Sequence, residues 1–229
     1  LLLNDFRNQT KGNRVFGRVF GKVADQTNMI GYSYSNDNGI GLFVGDFSGN
    51  YDGSFIGFDW QYENVHAGIS YSNNNFVGEN KTKWYGTGNA DLETETINLF
   101  TEWSYLLTDT IITKFGFSVN KTDVKEFTEQ GSAFNVNIDE FDMIVGNLFA
   151  DISKIFNTQY GMTYLTLGAE YYETREVDIV FSDKLNFTHK EDLYVGKLGA
   201  YHTFNNFYLS AELDTEGREI YQIGFTLKF

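Results

Sequence analysis

The 229-residue sequence contains no cysteine and no proline. Without cysteine, neither a disulfide framework nor a thiolate metal site can form, and the absence is compatible with an oxidising, exported compartment. Proline makes up about 5% of average proteins and is excluded from paired strands, because it has no backbone N–H to donate. A chain without proline therefore indicates a structure in which few strand positions remain unpaired.

Long apolar runs and positive charge are also lacking. No stretch of about 18 consecutive apolar residues occurs, which excludes a transmembrane helix. The 17 basic and 31 acidic residues give a formal net charge of −14. This argues against a nucleic-acid partner, since phosphate binding needs a concentrated basic face. The sequence begins LLLNDFRNQ, with neither an initiating methionine nor a signal-peptide pattern, so we expect a mature or truncated part of a longer product.

Aromatic residues are abundant, at 17% of the chain with 22 Phe and 15 Tyr. Apolar residues, many of them aromatic, recur at every second position. In SFIGFDWQYE, Ile56, Phe58 and Trp60 alternate with Gly57 and Asp59. The same period appears in TIITKFGFSVN, TINLFTEWSYLL, NVHAGISYS and NFYLSAELDTE. A period of two gives each strand one apolar and one polar face, so the sequence predicts an all-β fold.

About twelve such segments occur, and most are joined by short, turn-like connections. The predicted strands are 14–24, 28–36, 39–49, 51–63, 64–75, 95–107, 110–126, 134–154, 160–176, 190–203, 206–215 and 218–229. The stretch IDEFDMIVGNLFADISKIF has no clean alternation, and a short helix there is an alternative. Three connections are long, at 73–95, 124–140 and 177–193. Long extracellular loops and tight periplasmic turns are typical of outer-membrane barrels.

The composition of the two strand faces separates a membrane barrel from a soluble sandwich or barrel, which also has period-two strands. A soluble barrel would have to pack the many aromatic side chains inside. We expect instead that the apolar faces contact lipid and that the polar faces line a wet lumen. The predicted lumen-lining residues are Arg18, Lys22, Asp59, Glu102, Lys114, Glu170, Lys197 and Glu212. The predicted fold is a transmembrane antiparallel up-and-down β-barrel of about 12 strands.

The final stretch, YQIGFTLKF, alternates over its whole length and ends on Phe229. It resembles the C-terminal signature of outer-membrane proteins that the barrel-assembly machinery reads. The residues expected to face lipid and to carry this assembly signal are Tyr221, Ile223, Phe225, Leu227 and Phe229. The strand is expected to close the barrel by pairing with the segment that begins NRVFGRVF. The predicted location is the outer membrane of a Gram-negative bacterium.

Residues 14–229 as a whole resemble the translocator domain of monomeric autotransporters, the type V secretion proteins. NRVFGRVFGKV is similar to the first strand of that family, with Phe16, Gly17, Arg18 and Gly21 in matching positions. MIGYSYSNDNGIGLFVGDFSG is similar to the second and third strands, and GSFIGFDWQYENVHAGISYS to the fourth and fifth.

This resemblance implies a barrel that anchors a covalently attached N-terminal passenger and enables its export. Residues 1–13 would be the end of the passenger linker or pore helix, with Asp5 and Arg7 near lumen charges, and residues 14–229 the barrel. It further implies a monomer that has no catalytic residue, metal or cofactor and that is served by periplasmic chaperones. The Asn-Asn junction of self-cleaving members is absent, since Asn8-Gln9 and Gly12-Asn13 are poor substitutes. We therefore expect no cleavage inside the barrel.

The alternative function is a stand-alone outer-membrane barrel, either a surface adhesin or a protease or lipase. His66 and Ser70 share a strand face, as a Ser–His pair would, but four residues along a strand separate them by roughly 13 Å. His189 lies in a long connection near Asp183, Glu191 and Asp192, where a metal site or an omptin-type protease site competes with a solvated loop. The acidic residues Asp91, Glu93 and Glu95 are expected to be solvated rather than to bind a divalent cation.

Overall fold

The computed structural model describes residues 12–22, 25–49, 51–82, 86–131, 135–181 and 185–228, which form strands and turns. The sixteen strands are β1 (Gly12–Lys22), β2 (Asp25–Ser35), β3 (Ile40–Gly49), β4 (Tyr51–Tyr62), β5 (Val65–Thr82), β6 (Gly86–Thr108), β7 (Ile111–Val124), β8 (Phe127–Gly131), β9 (Asn135–Ile138), β10 (Phe141–Thr158), β11 (Gly161–Thr174), β12 (Val177–Phe181), β13 (Leu185–His189), β14 (Asp192–Phe204), β15 (Phe207–Asp214) and β16 (Glu219–Lys228). No helix of the described residues is long and apolar enough to cross a membrane.

Twelve of these strands form one closed antiparallel ring. Its order is β1 to β7, then β10, β11, β14, β15 and β16, and β16 pairs again with β1. The closing pair runs from Arg14 opposite Lys228 to Gly21 opposite Tyr221. The ring confirms the predicted all-β, twelve-stranded barrel. The expected linker stub with Asp5 and Arg7, and the terminal Phe229, lie outside the described residues.

The prediction of three long loops is wrong, because these segments are paired strands. β5 and β6 continue past the neighbouring strands as a hairpin that reaches Thr82 and Gly86. The hairpins β8–β9 and β12–β13 extend the same sheet from β6, through β6–β8 and β9–β12 pairs. The alternative of a short helix before residue 156 is also wrong, since β10 pairs with β7 and β11 along most of its length.

The two ends of the barrel differ in the length of their connections. β1 begins and β16 ends at the end that carries the short turns 36–39, 63–64, 109–110, 159–160 and 205–206. Two of these turns hold a non-glycine residue at positive φ, Glu63 at 48° and Asn205 at 53°, as tight hairpin turns require. The extended hairpins all lie at the opposite end. In outer-membrane barrels the short turns are periplasmic and the long connections extracellular.

The period-two pattern sends apolar side chains to the outside of the ring. In β4, Ile56, Phe58 and Trp60 are exposed by 42–48%, whereas Phe55 and Asp59 on the opposite face are buried. The same alternation along β2, β3, β7, β11 and β16 produces an exposed apolar band around the barrel. A band of this kind is stable only against lipid, because large apolar patches on soluble proteins promote association.

Inward-facing aromatic rings lie on glycines of the neighbouring strand. The directly opposed pairs are Phe16–Gly31, Phe43–Gly57, Phe55–Gly45, Phe100–Gly68, Phe149–Gly116 and Tyr208–Gly224. A β-carbon on each of these glycines would lie less than 3 Å from an atom of its partner ring, and the closest approach is 1.9 Å between Gly57 and Phe43 Cζ. Each ring fills the space that a side chain on the glycine would occupy. The ring thereby packs the inner wall and covers the glycine backbone.

This packing predicts that Gly57→Ala destabilises the barrel by about 1–3 kcal/mol, because the Phe43 ring has to move from a tightly packed position. The measurement is the free energy of unfolding in urea, with the barrel refolded in detergent micelles. Gly199→Ala is the matched control, since its β-carbon would meet no atom closer than 3.7 Å. An equal loss in both variants would contradict the proposed role of the ring contact.

Candidate functional site

The lumen wall has three sectors of different chemistry. The aromatic sector, on β1 to β4, contains Phe16, Phe20, Met29, Phe43, Phe47 and Phe55. The uncharged sector, on the parts of β5 to β7 farther from the short turns, contains Ser70, Ser72, Asn74, Thr94, Thr96, Asn98, Asn120 and Thr122. The charged sector, on β10, β11, β14 and β15, contains Asp151, Glu170, Lys197 and Glu212. A molecule inside the lumen would therefore meet aromatic rings on one side, uncharged polar groups on another and charged groups on a third.

The aromatic sector was not predicted from the sequence. The ring centroids of Phe16, Phe43 and Phe47 lie 6.3, 6.2 and 4.9 Å from that of Phe55, and all four residues are buried. Such aromatic contacts stabilise by about 0.5–1.5 kcal/mol each beyond the area they bury. A usable signal exists in GLFVG, where Phe43 interrupts the expected polar face between Leu42 and Val44.

A buried ion cluster lies in the lumen near the end that carries the short turns. His66 Nε2 is 2.9 Å from Asp59 Oδ2, and His66 Nδ1 is 3.2 Å from Glu102 Oε1. All three residues are less than 8% exposed, and the guanidinium of Arg14 adds an electrostatic attraction to Asp59. Because a neutral imidazole has only one N–H, the two carboxylates are both satisfied when the ring carries both protons. The cluster links three adjacent strands, β4, β5 and β6.

The same geometry bears on the Ser–His alternative. Each ring nitrogen of His66 faces a carboxylate oxygen, so neither is directed at the hydroxyl of Ser70 as a general base would be. His189 Nε2 lies 3.6 Å from Glu191, and both side chains are well exposed. Within the described residues, no group of three or more His, Asp or Glu side chains could hold a metal ion.

The charged sector is a chain of cross-strand pairs. Lys197 contacts Glu170, and its Nζ lies 3.6 Å from Glu212. Tyr172 donates a hydrogen bond to the same Glu170 carboxylate. Lys114 lies opposite Asp151 on the adjacent strand. The predicted lumen residues Lys114, Glu170, Lys197 and Glu212 thus lie on neighbouring strands on one side of the lumen.

At the seam between the first and last strands, Arg18 Nη1 donates a hydrogen bond to Gln222 Oε1 at 2.8 Å. Its guanidinium also lies 4.5 Å from the centroid of the Phe20 ring. The side chain of Lys22 is not among those described. Arg18 therefore connects β1 to β16 from the lumen side.

The described residues of the predicted assembly signal, Tyr221 to Leu227, lie on the outer face of β16. Tyr221, Ile223 and Leu227 are exposed by 45–52%. Phe225 is half-buried because its ring covers Gly17 of β1, where a β-carbon would lie 2.8 Å from the ring. The seam is thus packed from the lipid side by Phe225.

The ion cluster predicts that His66→Leu destabilises the barrel by about 3–5 kcal/mol, because it removes the imidazole that both buried carboxylates contact. The measurement is again urea unfolding in detergent micelles. The exposed His189 supplies the control, and His189→Leu is expected to change the free energy of unfolding by less than about 0.5 kcal/mol. Equal stability of the two variants would show that the buried cluster contributes nothing.

Comparison with known proteins gives a fold but no close relative. No protein-family profile and no curated protein sequence matches the chain. Among solved structures, the chain is similar to the translocator domain of the autotransporter NalP from Neisseria meningitidis, with a TM-score of 0.59 and 14% identity over 97% of this chain and 90% of the other. It is also similar to the β domain of the Bordetella autotransporter BrkA, with a TM-score of 0.52 and 11% identity over 96% and 100% of the two chains.

The likeness at these identities concerns the fold, and it extends over nearly the whole length of each protein. It agrees with the closed ring, the exposed apolar band and the polar side chains of the lumen. The chain is an integral outer-membrane β-barrel with the twelve-stranded fold of autotransporter translocator domains.

Proposed function

We propose that this barrel anchors an N-terminal passenger in the outer membrane and enables its export to the cell surface. The observation that carries the proposal is the near-complete overlap with two translocator domains, in which almost no part of either fold is left unmatched. In this function residues 1–13 end the passenger linker and residues 14–229 form the barrel. The described strand β1 already begins at Gly12.

The position of β1 supports this arrangement. Gly12 lies at the end of the barrel that carries the short turns, which is the periplasmic end. A chain that continues upstream from Gly12 and reaches the cell surface has to run the length of the lumen. The polar lumen offers it hydrogen-bond partners, and Asp5 and Arg7 of the linker carry charges that match those of the charged sector.

Anchoring follows from the outer face of the ring. All barrel strands pair around the closed circle, so no open edge meets lipid. The apolar residues of β16 form part of the lipid-facing band, and we propose that the barrel-assembly machinery recognises them after periplasmic chaperones have delivered the chain. The protein then acts as a monomer and performs no catalysis.

A second candidate is a stand-alone adhesin. The observation in its favour is the sheet that β8, β9, β12 and β13 add to β6 beyond the barrel. This sheet lies at the extracellular end and would present an ordered surface to a binding partner. In that case no passenger would be needed for function.

Export is tested by fusing a signal peptide and a folded reporter domain upstream of Leu1. We expect the reporter to become accessible to protease added to intact cells, because the barrel provides its route to the surface. A fusion that lacks β16, whose seam cannot close, is the control and should leave the reporter protected. A barrel that inserts but keeps the intact reporter inside would contradict the translocator function and favour the adhesin.

Removal of Phe229 tests the assembly signal. We expect it to lower the amount of barrel in the outer membrane at least several-fold, while refolding of the purified chain in micelles stays unchanged. Lys228→Ala is the matched control, since the neighbouring Lys228 belongs to the lumen parity of β16. If membrane assembly is normal without Phe229, the recognition of the C-terminal strand by the assembly machinery does not depend on that residue.

A further inference from the structure

A cavity of about 260 Å³ lies inside the barrel, between the aromatic and uncharged sectors. Phe47 and Tyr51 belong to its apolar side, and Ser72, Asn98 and Asn120 belong to its polar side. Phe47 and Tyr51 flank the β3–β4 turn, which lies at the end of the barrel opposite the short turns. The cavity, here called the recess, is therefore in the extracellular half of the lumen.

The recess is neutral, unlike much of the remaining lumen. None of the described residues that line it carries a formal charge, although the chain has a net charge of −14. The buried ion cluster and the charged sector are made by other side chains. Transfer of a charged ligand into a site without a counter-charge is costly, so the recess favours a ligand without net charge.

The polar side of the recess has hydrogen-bonding capacity left over. Asn98 Nδ2 donates to Asn120 Oδ1 at 2.5 Å, and the hydroxyls of Thr96 and Thr122 are 3.0 Å apart. An Asn side chain has two N–H donors and an acceptor oxygen, and a hydroxyl both donates and accepts. After these contacts, Asn98 and Asn120 together still provide donors and acceptors. A ligand hydroxyl, which also does both, matches this mixed surface.

The opposite side of the recess is aromatic. The ring of Tyr51 lies 5.3 Å from that of Phe76, and the ring of Phe47 lies 4.9 Å from that of Phe55. These contacts hold both rings in place, with Phe47 packed into the wall and Tyr51, which is 39% exposed, presenting its ring to the recess. A ligand that fits between the two sides needs an apolar face for the rings and many hydroxyls for the amides.

We propose that the recess binds a neutral saccharide that enters from the cell surface. A pyranose ring presents both features at once, with C–H groups on its face and hydroxyls around its edge. The segment of this chain that precedes β1 carries the charges of Asp5, Arg7 and Lys11, which match the charged sector rather than the neutral recess. The proposal does not depend on passenger export, because it uses only the described wall of the lumen.

The test is calorimetric titration of the full chain, folded in detergent micelles, with maltotriose and with N-acetylated chitotriose. We expect at least one of these neutral probes to bind with a Kd of about 1 mM or tighter. Trigalacturonate, which has similar hydroxyls but carries carboxylates, should bind at least tenfold more weakly. The dodecapeptide LLLNDFRNQTKG is titrated in the same way.

Two variants in the recess are compared with one outside it. Asn98→Leu and Thr96→Val should each weaken saccharide binding at least fivefold, since each removes polar groups from the recess. Asn147→Leu removes a lumen amide on β10, opposite Ser118, and should leave binding within twofold. Thr96→Val is nearly isosteric, so it serves if Asn98→Leu does not fold, and a mobility shift on unheated gels verifies folding.

Three results would overturn the proposal. The first is the absence of binding by both neutral probes. The second is an equal loss of affinity in Asn98→Leu and Asn147→Leu. The third is tighter binding of the dodecapeptide than of either saccharide, with sensitivity to Asn98→Leu, which would make the recess a peptide site instead.

Discussion

The closure of the hydrogen-bonded ring is the constraint on which the rest of this structure depends. In a bilayer, each unpaired backbone N–H or C=O costs several kcal/mol, so a membrane sheet can have no free edge. The pairing of β1 with β16 satisfies the last edge. It also explains the absence of proline, which would remove a donor from any of these strands. The seam is reinforced on both faces, by Arg18 and Gln222 inside and by Phe225 over Gly17 outside.

Closure leaves the inner wall to be packed by side chains that cannot form an ordinary core. The inner wall is packed instead by aromatic rings over glycines and by oppositely charged side chains in pairs and clusters. Phe43 fills the space above Gly57, and Phe55 the space above Gly45. Deeper in the same lumen, His66 is held between Asp59 and Glu102. Together these contacts pack one side of the wall tightly, whereas the recess beside it remains open.

The barrel strands could be predicted because lipid imposes a strict period of two. The predicted strand 51–63 is observed as Tyr51–Tyr62, and 39–49 as Ile40–Gly49. The signal is lost where both faces of a strand are solvated. In the hairpin of β5 and β6, polar residues such as Asn74 and Glu93 occupy both even and odd positions. The sequence there resembles a loop although the strands are paired. Beyond the barrel, the local sequence contains little that distinguishes a strand with two solvated faces from a loop.

The interior of the site was harder to predict, because it depends on register. His66, Asp59 and Glu102 are polar residues on three strands, and only the pairing of His66 with Glu102 and Gln61 brings them together. A register shifted by one residue would direct one partner to lipid. The aromatic sector was missed for a related reason. Phe43 is apolar, as are its neighbours Leu42 and Val44, and only the glycine opposite shows which of the three faces inward.

The joining of the first described strand to the last has a consequence for biosynthesis. About two hundred residues separate the two partners of the seam, so no partial chain can satisfy both of its edges. A prematurely terminated product keeps two exposed strand edges and remains recognisable to proteases and chaperones as incomplete. Only the complete chain can therefore close the ring. Insertion into the membrane without an exposed strand edge has to wait for the last strand.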